Sequence, residues 1–102
     1  MKRGDVYWVN LDPTVGSEVK KRRPALIVSP DEMNRSLPVV IVAPLTGTNK
    51  HWPTRSSVML NGRKSQVMLE QIRTVDKARL LERIGEVDAT EPLAILQQMF
   101  SP

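Results

Sequence analysis

Apolar and polar positions alternate in short blocks along this chain, and turn residues punctuate them. DVYWVNL (residues 5–11) places Val6, Trp8 and Asn10 on one face and Tyr7, Val9 and Leu11 on the other, as a strand does. DPTVGSE (12–18) carries Asp-Pro and a glycine and reads as a loop. ALIVS (25–29) is a continuous apolar run of strand length, buried on both faces. PDEMNRSLP (30–38) reads as a loop with room for one helical turn, and VVIVAPL (39–45) is the clearest strand in the chain. TGTNKHWPTRS (46–56) is a long polar loop, of the kind that tends to carry function. SVML and SQVMLEQI flank NGRK, whose Asn-Gly marks a hairpin turn. TVDKARL is expected to form a short helix. LLERIGEV is assigned as a strand, although Leu80, Leu81, Ile84 and Val87 fall nearer to helical spacing. Thr90 is expected to cap a final helix, with Glu91 and Pro92 in its first turn and Leu93, Leu96 and Phe100 on one face. The pattern predicts a mainly β fold, a small, strongly bent sheet or barrel of about five to seven strands with a C-terminal α-helix.

With 102 residues the chain suits a single domain, residues 1–102, and 40% hydrophobic positions support a small core. No apolar run approaches a transmembrane span, and MKRGDVYWVN lacks the apolar stretch of a secretion signal. Cysteine is absent, which excludes disulfides and thiolate sites and fits a cytoplasmic location. His51 is the single histidine, so a histidine-rich metal site is excluded within one chain, and no pair of acids is spaced for magnesium. Neither a metal nor a cofactor is expected. The net charge of +4 is compatible with a polyanionic partner, and it is concentrated in KKRR, residues 20–23, at the mouth of the ALIV strand.

A serine–histidine–acid triad is improbable with one histidine, which leaves carboxylates, arginines and hydroxyls. Three clusters carry them: Glu18 with Lys20, Lys21, Arg22 and Arg23; Thr46 to Thr48 after the VVIVAPL strand; and Glu70, Gln71 and Arg73 in LEQIRT. Polar groups at strand ends are held rigidly yet remain accessible. A guanidinium matches a phosphate bidentately, and with threonine hydroxyls it forms a phosphate cradle. With a carboxylate added, the set suffices for metal-free RNA cleavage, in which the nucleophile is the substrate's own 2′-hydroxyl. Structural readings stand beside these. Glu18 could simply pair with the neighbouring cations, Glu70 could be a core-edge carboxylate satisfied by backbone, and His51 beside Trp52 could be an ordinary exposed loop residue.

KRGDVYWVNLDPTVGSE, RRPALIVSPDEMN, VVIVAPLT and VMLEQIRTVDKARL, in that order, resemble the blocks of MazF-type (PemK/Kid-like) toxins of bacterial toxin–antitoxin systems, over roughly residues 2–88. The resemblance implies an SH3-like small β-barrel with a terminal helix, a homodimer, and sequence-specific cleavage of single-stranded RNA without a metal. It also implies a MazE-like antitoxin as partner, bound through an acidic C-terminal segment. Carried over by position, the family's arginine before proline is Arg23, its threonine after the central strand is Thr46, and the acid that some members use as a base is Glu70. Glu18 matches a glutamate of the first long loop. One branch of the family has a histidine near that loop and an arginine two residues before the Glu70 position; here no histidine stands there and residue 68 is methionine. Acid and base roles are therefore divided differently, and more falls on Arg23. Lys20, Lys21 and Arg22 are assigned to the RNA backbone, and Thr48, His51, Trp52 and Gln71 to further RNA contacts. A similar barrel serves CcdB-like toxins that bind DNA gyrase without catalysis, so a non-enzymatic gyrase binder is the alternative.

Overall fold

The computed structural model describes residues 1–13, 15–18 and 21–102. Lys20, one of the expected RNA contacts, lies outside them. Seven strands form one curled antiparallel sheet: β1 Asp5–Asn10, β2 Arg22–Ile27, β3 Val39–Thr46, β4 Arg55–Leu60, β5 Arg63–Met68, β6 Arg73–Asp76 and β7 Leu80–Glu86. Two helices accompany it, α1 Asp31–Ser36 and α2 Thr90–Met99. The strand order is β4-β5-β3-β2-β1-β7, with β6 also paired to β3. Among the described residues no helix is long and apolar enough to cross a membrane.

Both faces of the central strands are covered. Val6, Leu26, Val28, Ala43, Leu45, Val58, Leu60, Val67 and Leu69 form one apolar cluster, against which Leu93, Ile95 and Leu96 of α2 pack. Val9, Leu11, Ala25, Ile27, Val40, Val42 and Val75 form the second, on the opposite face. This two-sided burial is why ALIVS and VVIVAPL read as unbroken apolar runs.

Strand β3 has two partners along one edge. Val39 to Val42 pair with β6, and Leu45 and Thr46 pair with β5. Ala43 and Pro44 lie between, at the change of partner. A proline inside a central strand would normally remove a ladder bond; here it occupies the gap where that edge has no neighbour to bond. The β4–β5 hairpin turns at Asn61 and Gly62, both with positive φ, as the Asn-Gly signal requires.

Three elements differ from the sequence reading. Strand β2 begins at Arg22, so two of the four cations stand inside the ladder, with Arg22 opposite Asn10 and Arg23 opposite Val9. TVDKARL splits into β6 and a 3₁₀ turn, Lys77–Arg79, because the Asp76 carboxylate accepts the Ala78 N–H (2.8 Å) and confines the helical geometry to one turn. Thr90 is the first helical residue rather than the cap. The Asp88 carboxylate accepts both its N–H (3.0 Å) and its hydroxyl (2.6 Å). Along α2, Leu93 and Leu96 are half-buried while Phe100 is 73% exposed.

LLERIGEV is a strand with a physical reason for its spacing. Val6 to Tyr7 is one step on β1, but their partners Gly85 and Arg83 are two apart; Tyr7 to Val9 spans two steps against three from Arg83 to Leu80. Each irregularity adds a residue to β7 and shifts its alternation by one position. Helix α2 is tied to the sheet by fully buried Ser56, which donates to Glu91 Oε1 (2.7 Å).

Two-sided burial gives a direct test. Leu26→Ala on one face and Ile27→Ala on the other should each destabilise the protein by about 2–5 kcal/mol. Urea denaturation should show a lower midpoint for both at unchanged slope. A cost confined to one of the two neighbours would mean that one face of β2 is solvated.

Candidate active site

Where β3 exchanges β6 for β5, a cleft of about 370 Å³ opens, lined by Leu11, Ser17, Glu18, Pro44, Glu70, Gln71, Ile72 and Arg73. Leu11 and Pro44 give it an apolar base. Its rim is a 3₁₀ turn, Leu69–Gln71, between β5 and β6. Leu69 is fully buried and anchors the turn, so Glu70 and Gln71 are held half-exposed on it. Sequence reading placed them at the end of a strand; the turn is needed because the chain must leave β3 with β5 and return to it with β6. Arg73 donates from Nη1 to the Leu11 carbonyl (2.9 Å), so it ties the cleft wall to the end of β1. Glu18 Oε1 accepts the Val15 N–H (2.7 Å), which closes its own loop. It forms no ion pair among the described residues.

Arg23 and Thr46 stand on neighbouring strands, β2 and β3. The pairing of β2 with β3 runs from Ile27 opposite Val42 to Ala25 opposite Pro44, and Arg23 and Thr46 each lie two residues beyond that last pair. On its other side Arg23 faces Val9. Alternation puts it on the face of Val9 and Ala25, the side on which Leu11 and Pro44 line the cleft. Arg23 is half-buried and has no ion-pair partner among the described residues. Thr46, the last residue of β3, accepts the Thr48 N–H on Oγ1 (3.1 Å), which leaves its hydroxyl proton free to donate. Lys21 and Arg22 are exposed at the start of β2. The neck of the β1–β2 loop is closed by Leu11 N–H donating to the Lys21 carbonyl (3.0 Å) and Lys21 N–H to Asp12 Oδ1 (2.9 Å).

Glu70 is gripped from one side. Arg55 Nε lies 2.9 and 3.1 Å from its two oxygens, Arg55 Nη2 lies 2.7 Å from Oε2, and the Thr54 hydroxyl donates to Oε1 (2.8 Å). Partial burial pushes this carboxyl up, but the hydrogen bonds from Arg55, from its own backbone and from Thr54, with the Arg55 charge, outweigh it and hold Glu70 below the ordinary glutamate value. The Arg55 side chain is only 7% exposed. Its guanidinium lies 4.4 Å from the centre of the Trp52 ring, and Lys50 Nζ lies 5.4 Å from it. Gln66, buried on β5, receives the Lys50 N–H (3.0 Å) and donates to the Lys50 carbonyl (2.9 Å) and to Asn49 Oδ1 (2.7 Å). The loop from Gly47 to Thr54 is thus pinned at both ends, and its exposed His51 and Trp52 project between the pins.

Glu18, Glu70 and Gln71 therefore line the cleft, whereas Arg23 and Thr46, on the neighbouring strands β2 and β3, are not among its lining residues. Thr48, His51 and Trp52 lie on the adjoining loop. Arg55, Thr54 and Gln66 escaped the sequence reading. A signal for Arg55 existed: counting outward from the Asn61–Gly62 turn pairs Leu60 with Arg63 and Arg55 with Met68, which brings Arg55 within reach of Glu70.

A family model for the PemK-like, MazF-like toxins of type II toxin–antitoxin systems matches residues 2–99. Endoribonuclease EndoA of Bacillus subtilis is 39% identical over 94 residues, which span 86% of this chain and 81% of the relative. Among solved structures, MazF from Deinococcus radiodurans superposes with a TM-score of 0.81 at 28% identity, over 96% of this chain and 90% of the other. A mycobacterial endoribonuclease in complex with its cognate antitoxin gives 0.75 at 26% identity, over 95% and 87%.

The lowered Glu70 carboxyl links stability to pH. A carboxyl held below its ordinary value contributes stability that is full above the unfolded value, 4.5, and is lost as pH falls through the folded one. Glu70→Gln should cost about 1–3 kcal/mol at pH 7, because it leaves the buried Arg55 without its charged partner. It should also flatten the loss of stability below pH 4.5. Urea melts of both proteins from pH 7 to pH 3 check this; parallel curves would show that Glu70 does not contribute.

Proposed function

The chain belongs to the PemK-like, MazF-like toxin family of type II toxin–antitoxin systems, and from that premise we propose that it is an endoribonuclease that cuts single-stranded RNA without a metal ion. The observation that carries this reading is Arg23, a half-buried cation without an ion-pair partner among the described residues, fixed in the β2 ladder opposite Val9. Such a group is preorganised for a phosphate whose charge grows during reaction.

The 2′-hydroxyl of the nucleotide 5′ to the cut attacks phosphorus. The bond to the 5′-oxygen of the next nucleotide breaks, giving a 2′,3′-cyclic phosphate and a free 5′-hydroxyl. The 2′-hydroxyl proton passes to a base and the departing oxygen takes up a proton, so charge balances. Arg23 stabilises the phosphorane oxygens, Thr46 donates its hydroxyl proton to one of them, and Glu70 accepts the 2′ proton. A carboxylate held below its ordinary value is a weak base, so most of the acceleration rests on Arg23. Lys20, Lys21 and Arg22 hold the backbone on approach. Glu18 and Gln71 in the cleft, with Thr48, His51 and Trp52 on the loop, face the bases.

Arg23→Ala should lower cleavage of a long RNA by a hundredfold or more, on the order of the loss of a transition-state charge partner. Thr46→Ala should cost less, since a neutral hydrogen bond is weaker. Cleavage should continue in excess chelator and cease when the nucleotide 5′ to the cut is 2′-deoxy. Near-normal cutting by folded Arg23→Ala, a metal requirement, or cutting at the deoxy site would each overturn the mechanism.

The same reading includes a homodimer in the cytoplasm and an antitoxin partner. An apolar groove beneath α2, lined among others by Val28, Ile41, Ile72, Leu93, Leu96 and exposed Phe100, supports the dimer, because a core this small gains from a shared apolar face. The basic start of β2 suits the acidic C-terminal segment of a MazE-like antitoxin. That segment would pair with the cations assigned to RNA, so the two should exclude each other. Light scattering should give twice the chain mass, and an acidic antitoxin peptide should displace labelled deoxy-substituted RNA. A monomer mass, or simultaneous binding at undiminished affinity, would refute the corresponding part.

A further inference from the structure

Arg55, beside the cleft, is engaged on several sides at once. On one side of its guanidinium stand both oxygens of Glu70. Beneath it lies the Trp52 ring at 4.4 Å. Its Nη1 reaches Gln66 Oε1 at 3.5 Å, and Gln66 in turn fixes Asn49 and Lys50. The adjacent Thr54 completes the grip on Glu70, and its carbonyl accepts the Leu69 N–H (3.0 Å), which joins the loop to the 3₁₀ turn. A planar, permanently charged group is the one side chain able to stack on an indole while meeting a carboxylate in its own plane.

We infer that Arg55 is a positioning residue that sets the Glu70 carboxylate and the Trp52 ring as one unit, so that the cleft and the Gly47–Thr54 loop are oriented together. The inference deepens the reading above, in which Glu70 takes part in cleavage and Trp52 meets a base. Through this stack a base held against Trp52 is placed at a fixed distance from the carboxylate, and the nucleotide read by the loop is coupled to the phosphate that is cut. Lysine at position 55 keeps the charge but lacks both the plane and the second donor nitrogen that meets Glu70, so it cannot substitute.

The test uses Arg55→Lys and Arg55→Ala in a Trp8→Phe background, where Trp52 is the sole indole. With a short RNA substrate, kcat/KM should fall about tenfold to a hundredfold in both variants, with kcat included in the loss. The acidic limb of the kcat profile should move to higher pH, because Glu70 must be ionised to accept a proton and its carboxyl rises once Arg55 is gone. Trp52 should become more accessible to iodide quenching. In the wild type, ¹³C NMR of the Glu70 carboxyl should titrate below 4.5. An unmoved acidic limb with unchanged quenching in either folded variant overturns the inference, as does a wild-type Glu70 titrating at or above its ordinary value. If the wild type cuts no RNA, the cleavage reading fails, while quenching and titration still decide whether Arg55 holds the stack.

Discussion

A strand in the middle of a sheet has two edges, and each edge ordinarily has one neighbour. Strand β3 breaks that economy by accepting β6 along its first half and β5 along its second. The chain that joins these partners cannot continue as a strand, so it turns outward as Leu69–Gln71 and presents Glu70 and Gln71 to solvent. Pro44 occupies the gap, where the absence of an N–H costs least. The cleft is thus a consequence of topology before it is a matter of chemistry. It lies over the short stretch of β3 that lacks a neighbour along one edge, and the turn from Leu69 to Gln71 that the exchange of partners requires forms its rim.

Charge is distributed around this cleft by the same geometry. Arg23, inside the β2 ladder, has no ion-pair partner among the described residues. Arg55, at the start of β4, is neutralised by Glu70. Without Arg55, Glu70 would lose its ion-pair partner. A buried ion pair is weak evidence for stability, since desolvation offsets much of the attraction. Its value here is orientation, because the bidentate contact and the Thr54 hydroxyl allow the carboxylate few alternative directions.

Much of this was legible in the sequence, and the limits have physical causes. The unbroken apolar runs of β2 and β3 reported burial on two faces, and the Asn-Gly pair fixed a hairpin register. The C-terminal helix was visible from its spacing, although its first turn is held by Asp88 and not by Thr90. Strand β7 was harder to read because two extra residues shift its alternation, so its apolar positions imitate a helix. Arg23, Thr46 and Glu70 were singled out because they stand near strand ends and match a family pattern. Arg55 was missed because its importance depends on pairing across a hairpin and on a tryptophan from another loop. Neither contact leaves a local signature around residue 55.

The hairpin tip carries one more consequence. Asn61 Nδ2 donates to the Ile84 carbonyl (3.2 Å), and a methyl group placed on Gly85 would meet Asn61 Oδ1 at 3.0 Å. The turn therefore touches β7, across the open side of the curled sheet, and serves as a spacer of fixed length. Surface hairpin turns are ordinarily the places where a chain tolerates added residues. Here, added residues that displaced Asn61 would remove the contact with β7. Since Arg55 and Gln66 both stand on that arm, the Asn61 contact helps to set the dimensions within which the cleft can vary.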